Sequence, residues 1–251
     1  MRKIGVPIVA MIVFLCLWEL LVWANDWPNY VMASPSDLPA AVMKFWDLFL
    51  IMSWQTLWRT VLGLLVAIIV GIAIGMVMGF WRTMRDALYP LLVGFNAIPK
   101  ATVVPIVALL FVGAHDFNTI LIAFVISFFP IAVSVSIGLS TLEPEYRDIL
   151  RALGASRSEI FWKIALPKTL PEFFGALKVS VTLAFIGTNL MEIVSPHGRG
   201  LGALFDSGRT NSDYPLMFSV LIALAFLGIV LYYVVVILES IFAGWAEREP
   251  T

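Results

Sequence analysis

Few side chains in this 251-residue sequence could do chemistry, and most of those interrupt apolar runs. Lys100 follows Asn96 and the Ile98-Pro99 step, and lies about 20 Å from Asp86 along a helix rising 1.5 Å per residue. A charge that deep in an apolar span is costly unless it faces protein or water, so by default it marks a polar route. Lys100, with unwound backbone around Ile98 and Pro99, therefore reads as facing such a route; a structural ion pair or a lysine reaching out to the interface is the alternative. Ser134, with Ser127, Ser136, Ser140 and the carbonyl freed by Pro130, could line the same route or knit helices together. Asn189 and Glu192 lie in a later span, so Asn96, Lys100, Ser134, Asn189 and Glu192 form the candidate path. Of the acidic residues, Glu19 and Glu192 alone are expected to approach the membrane.

Other chemistry is excluded by residue type and spacing. His115 and His197 stand far apart and Cys16 lies alone in an apolar run, so no metal site and no disulfide framework is expected. Gly198, Gly200 and Gly202 are spaced as Gly-x-Gly-x-Gly, but lack the preceding strand that a dinucleotide site needs. No Gly-x-x-x-x-Gly-Lys-Ser/Thr segment occurs, so the chain cannot by itself hold and split ATP in the P-loop manner. No clustered acid, base or metal ligand is found, so no catalytic residue is assigned and no enzyme is expected. The net charge of -1 gives no reason to expect nucleic acid.

The elements that must position these residues are membrane helices. The sequence is 61% hydrophobic and 13% charged, and its mean hydropathy of +0.95 excludes an ordinary soluble domain. Runs long enough to cross about 30 Å of hydrocarbon fall near 4–23, 60–81, 87–112, 117–140, 173–194 and 214–238, which predicts an all-α integral membrane protein of six spans in a single domain. The run behind Met1, Arg2 and Lys3 resembles a signal peptide in outline, but it is long and carries Trp18 and Glu19 late, so it reads as a retained first helix. With the N-terminus inside, the basic residues of 82–85, 147–168 and 248 also fall inside, while Lys44, Arg59, Arg199 and Arg209 fall outside, which favours cytoplasmic termini. Residues 43–51 are amphipathic enough to lie along the outer interface. In the second span Gly63, Ala67, Gly71, Gly75 and Gly79 recur every four residues, a row of small residues along which another helix can approach closely.

The window 143–178 holds a disproportionate share of the charge and must project into water between the fourth and fifth spans. Residues 146–153 can form a short helix and Gly154 breaks it. Ser156 or Ser158 can cap a second helix over 159–166, and Pro167 is expected to close that one. The first exposes Arg147, Asp148 and Arg151, and the second spaces Ile160, Ile164 and Leu166 as an apolar stripe able to dock on a partner.

These residues resemble a family. Gly154, Ile164 ten residues on, and then Leu166-Pro167 are similar to the Glu-Ala-Ala loop of ABC importer membrane subunits, although Asp148-Ile149-Leu150 stands where the family usually carries Glu-Ala-Ala. Thr56-Leu57-Trp58-Arg59 with Gly63, and Gly200-Leu201-Gly202, also resemble family sequence, the latter an external loop near the outer gate. Across 57–239 the likeness is closest to the nitrate, sulfonate and taurine branch of the type I importers. That implies a permease subunit in a bacterial cytoplasmic (inner) membrane, coupled through Asp148, Arg151, Gly154, Ala155, Ser156, Ile164, Leu166 and Pro167. It implies as partners a second copy of the permease, two ATPase subunits that bind the ATP and Mg, and an extracytoplasmic substrate-binding protein. No cofactor is expected in this chain. The implied solute is a small anion, or alternatively a pyrimidine precursor, riboflavin or another small organic molecule. A secondary carrier would be expected to show paired intramembrane carboxylates and an inverted repeat, and neither is evident.

Overall fold

A computed structural model of the protein describes residues 2–140, 149–195 and 198–245; among these, every regular element is helical. In chain order the helices are α1 (Arg2–Ala24), α2 (Leu38–Lys44), α3 (Trp46–Phe80), α4 (Arg82–Ala97), α5 (Lys100–Leu110), α6 (His115–Ser140), α7 (Arg157–Ile160), α8 (Leu166–Val194), α9 (Leu201–Thr210) and α10 (Tyr214–Phe242). Trp46–Phe80, His115–Ser140, Ser158–Val194 and Tyr214–Phe242 are each long and apolar enough to cross a membrane; α4 and α5 together make a fifth span bent by 87°, and α1 contributes the shorter apolar stretch Val9–Ala24.

The direction of each helix is set by its neighbours. Gly63 faces Ala123, Gly71 faces Ile131, Gly75 faces Val135 and Gly79 faces Leu139, a constant offset, so α3 and α6 run parallel. A Cβ on any of these four glycines would come within 2.5 to 2.9 Å of the facing Cβ, which is closer than atoms pack, so the row is where the two backbones approach. Two parallel neighbours need a return crossing between them, and α4 with α5 supplies it. Helix α8 runs the other way, with Thr169 against Gly138 near one end and Ala123 against Gly187 toward the other. Helix α10 reverses again, since the rings of Phe174 and Phe242 stack at 6.4 Å. Trp18 meets Phe218 at 6.0 Å, which sets the C-terminal end of α1 beside the N-terminal end of α10. Both α1 and α10 thus have their chain-terminal ends on the side where α6 ends and α8 begins.

Three expectations are corrected. The second span reaches back to Trp46, because Phe49 is buried with Leu201, Leu204, Leu216 and Val220, so 43–51 does not lie flat as one amphipathic helix; α2 ends at Lys44 and α3 begins two residues later. Pro167 does not close a helix. It sits in the first turn of α8, just past the π-turn of Phe161–Ala165, and the chain stays helical over Ser158–Val194. Third, Glu239 also lies in a membrane helix, paired with Lys178 at 2.7 Å between α8 and α10. The sequence left that pair unread because its members are 61 residues apart.

Candidate functional site

The end of the bundle where α6 finishes and α8 begins, the inner end in the orientation expected from the basic residues, carries the segment between them. Residues 149–152 are helical, and Gly154 comes next but one with φ +86°, the left-handed conformation that glycine adopts at least cost. The Ala155 N–H donates to Leu150 O at 3.0 Å and the Gly154 N–H to Arg151 O at 2.9 Å, the paired bonds of a Schellman helix stop. Ser156 then opens the next helix. Its Oγ accepts from Glu159 N at 3.2 Å, while the Glu159 carboxylate accepts from Ser156 N at 3.0 Å and Ser156 Oγ at 2.9 Å, a reciprocal capping box. The bend is therefore fixed by hydrogen bonds on both sides.

The expected docking stripe faces inward. Phe161–Ala165 forms a π-turn, whose extra residue rotates the helix beyond it, and Ile160, Phe161 and Ile164 pack on the bundle core. The apolar residues presented outward are Ile149, Leu153 and Trp162. Beneath the turn lies an apolar recess of about 110 Å³, walled by Phe161, Leu166 and Leu170 on one side and by Ile72, Met76 and Val135 on the other. Gly154 and Ser156 are exposed, and Ala155, Leu166 and Pro167 half-buried; Asp148 lies outside the described residues.

The opposite end, the outer one in that expected orientation, is built from charge. Arg59 is 3% exposed and donates Nη1 to Glu192 Oε1 at 3.2 Å and to the Arg199 carbonyl, and it pairs through Nη2 with Asp116 Oδ1 at 2.6 Å. Glu192, 1% exposed, accepts from Thr56 Oγ1 at 2.8 Å and from the Gly202 N–H at 3.0 Å. Thr56 Oγ1 in turn accepts from the Leu201 N–H at 2.8 Å. The first N–H groups of α9 are thus satisfied from within the chain, by a carboxylate and a hydroxyl at the positive end of the helix dipole. The glycines of that loop serve close approach. A Cβ at Gly200, whose φ is +124°, would overlap the Glu192 carboxylate, and one at Gly202 would lie 2.7 Å from Asn189 O.

At the bend between α4 and α5, Ile98 is extended with ψ 128° because the residue ahead of a proline avoids the helical region. Lys100 donates Nζ back to Asn96 O at 2.7 Å and Phe95 O at 3.4 Å, so its charge satisfies the carbonyl end of α4.

Residues 67–247 match the family described as "Binding-protein-dependent transport system inner membrane component". The chain belongs to that family. It is similar to a riboflavin transport system permease protein of Chloroflexus aurantiacus, 33% identical over 248 residues that cover 96% of this chain and 90% of the relative. It is also similar to a formylaminopyrimidine transport permease protein of Halalkalibacterium halodurans, 31% identical over 171 residues, 68% of each chain. The fold is shared with a chain of the MetNI methionine ABC transporter solved in inward facing conformations, with a TM-score of 0.62, 19% identity and coverage of 76% of this chain and 94% of that one.

Within this permease the five candidate path residues do not form one cluster. Asn96 and Lys100 meet at the α4–α5 bend, Ser134 is half-buried on α6, and Asn189 and Glu192 stand one turn apart on α8. Asn189 donates to Phe185 O at 2.8 Å within its own helix, and its Oδ1 is buried without a bonded partner among the described residues. Arg59 was not among the candidates, although the pattern Thr56-x-x-Arg59 held the signal: its spacing puts hydroxyl and guanidinium on one helix face.

Proposed function

We propose that this permease is the membrane-spanning subunit of an ATP-driven importer, with the segment 149–171 as its contact to a separate ATPase. The observation that carries the reading is the inner bend. It is a short rigid knuckle, fixed by a Schellman stop and a capping box, that presents Ile149, Leu153 and Trp162 outward while its other face is seated on the bundle. Exposed apolar groups on a rigid projection suit a protein partner. Two copies of the chain, two ATPases and an external binding protein complete the assembly, in a bacterial inner membrane with both termini and the knuckle cytoplasmic.

The solute is a small organic molecule of the pyrimidine or flavin type. Supporting this are the two relatives named above and the engagement of the Lys100 ammonium by two helix-end carbonyls, which leaves it poorly placed to receive an inorganic anion. Nitrate, sulfonate or taurine is the second reading, favoured by Lys100 being the cation at the bend.

Co-purification tests the assembly: the cognate ATPase should elute with the wild-type chain and be lost from Leu153→Glu with Trp162→Glu, both exposed and so tolerated by the fold. Retention of the ATPase by that double variant would remove the knuckle from the interface. Uptake of labelled riboflavin or formylaminopyrimidine against nitrate and taurine, in vesicles holding the whole assembly, decides the solute class.

A further inference from the structure

The buried cluster at the outer end has no place in the scheme above, and its geometry assigns it one. Three elements meet there. Thr56 and Arg59 belong to α3, Glu192 to the last turn of α8, and the N–H groups of Leu201 and Gly202 to the first turn of α9. Helix α8 runs from this cluster to Leu166, 29 residues or about 44 Å, and joins the knuckle through the π-turn at Phe161–Ala165. A rigid helix that touches a partner site at one end and clasps a loop at the other can carry a displacement between them, because its hydrogen-bonded backbone does not absorb the motion.

The two ends of α8 are held differently. At the inner end Phe161, Leu166 and Leu170 border an apolar recess of about 110 Å³, and α8 begins just past a π-turn. At the outer end the bonds are directional and dry. A guanidinium and a carboxylate buried together are seldom the most stable filling of a site, since apolar groups of the same volume often do as well; what such a pair gives is one geometry. Here that geometry ties the start of α9 to α8 and α3 at once.

We propose that the Thr56–Arg59–Glu192 cluster is the junction through which movement of α8 reaches the external loop and α9, with Glu192 as its positioning residue. The proposal rests on the reading of the chain as an importer permease whose outer face meets a binding protein. By reciprocity of coupling, docking of the binding protein on the outer side then favours the arrangement of the knuckle that lets the ATPase close. Thr56 is the bridging group, donating to Glu192 while accepting from the Leu201 N–H, so removing its hydroxyl breaks both halves with little change in volume.

The test uses the complete assembly in vesicles and reads ATP hydrolysis with and without binding protein, beside the thermal unfolding midpoint of the same preparation. Thr56→Val is expected to hydrolyse ATP at the unstimulated rate and to lose stimulation by the binding protein; Thr56→Ser, which restores a hydroxyl, is expected to regain it. Gly202→Ala, which presses on Glu192 without removing a polar group, is expected to lose stimulation too and serves if Thr56→Val does not assemble. A lowered midpoint with stimulation intact in both Thr56→Val and Gly202→Ala would make the cluster structural only and overturn the proposal. A wild-type assembly that shows no stimulation at all would instead sink the importer reading.

Discussion

The two ends of α8 solve opposite problems. At its outer end Arg59, Thr56 and Glu192 replace water with directed bonds, each nearly inaccessible to solvent. At its inner end Phe161, Leu166 and Leu170 border a recess of about 110 Å³, and the helix reaches it through a π-turn. Bonds with fixed geometry hold one position, whereas apolar contacts carry no directional preference. The difference teaches that stability and transmission are separable in this permease. Removing a buried charge at the outer end should unfold it, whereas substitutions at the inner end should leave it folded and disconnected.

The largest effect is expected from Arg59→Met. It strands Glu192 in a buried site with its charge partner gone, a loss of about 3–5 kcal/mol when one member of a buried pair is removed. Thermal unfolding in detergent should show a midpoint far below wild type. A midpoint within a few degrees of wild type would mean that the outer end is not held by charge.

Between the ends, the α3–α6 contact should rank next. Gly71→Leu or Gly75→Leu forces a side chain into space that Ile131 and Val135 already fill, with overpacking costs of about 1–3 kcal/mol or more. Gly94 on α4 has no atom within 4 Å of where a Cβ would sit, so Gly94→Leu is its control and should change stability little. Equal midpoints for Gly75→Leu and Gly94→Leu would show that the glycine row does not set the contact.

At the inner end Gly154 has open space around it, so the penalty of a substitution there comes from φ +86° and not from crowding. Gly154→Ala should cost about 1–2 kcal/mol through the left-handed backbone, and Gly154→Pro, which cannot adopt that φ, should abolish the bend. The measurement that matters is uptake against folded yield. The contrast between the two ends predicts folded Gly154→Pro that no longer transports, and wild-type uptake by it would mean that the knuckle geometry is not transmitted.

Much of this architecture was legible in the residues alone. The apolar runs give the helices because backbone in lipid must bond to itself, and a period of four in Gly63, Gly71, Gly75 and Gly79 gives a contact face because four residues are nearly one turn. Gly154 and Ser156 could be read as stop and cap because those motifs are local. What stayed hidden was long-range or a matter of helical phase. The side-chain partners of Glu192 lie 133 and 136 residues away, and the π-turn at Phe161–Ala165, which changes the phase of the helix beyond it, leaves no mark in the residue spacing. In the Gly-x-Gly-x-Gly of 198–202, the Gly202 N–H donates to the side chain of Glu192 from the same chain.

The smallest effect is expected at Lys100, and it extends the comparison to a polar tie that is local and only partly buried. Like Arg59, Lys100 is a cation in a membrane helix, but it bonds carbonyls four and five residues back, close to the surface, instead of a carboxylate across the bundle. Replacing it with methionine keeps length and apolar volume and removes two bonds, one of them long at 3.4 Å, worth about 0.5–1.5 kcal/mol each. Lys100→Met should therefore fold nearly as wild type does. Its uptake then sorts the two solute classes. An organic, neutral solute should be carried at close to the wild-type rate, because the ammonium serves the bend and not the cargo. A small anion should be carried much more slowly, with Lys100→Arg intermediate, because the guanidinium keeps the charge but spreads it over a larger plane. Measured on one preparation, a Lys100→Met protein that loses stability as severely as Arg59→Met would break the contrast between a local tie and a buried clasp.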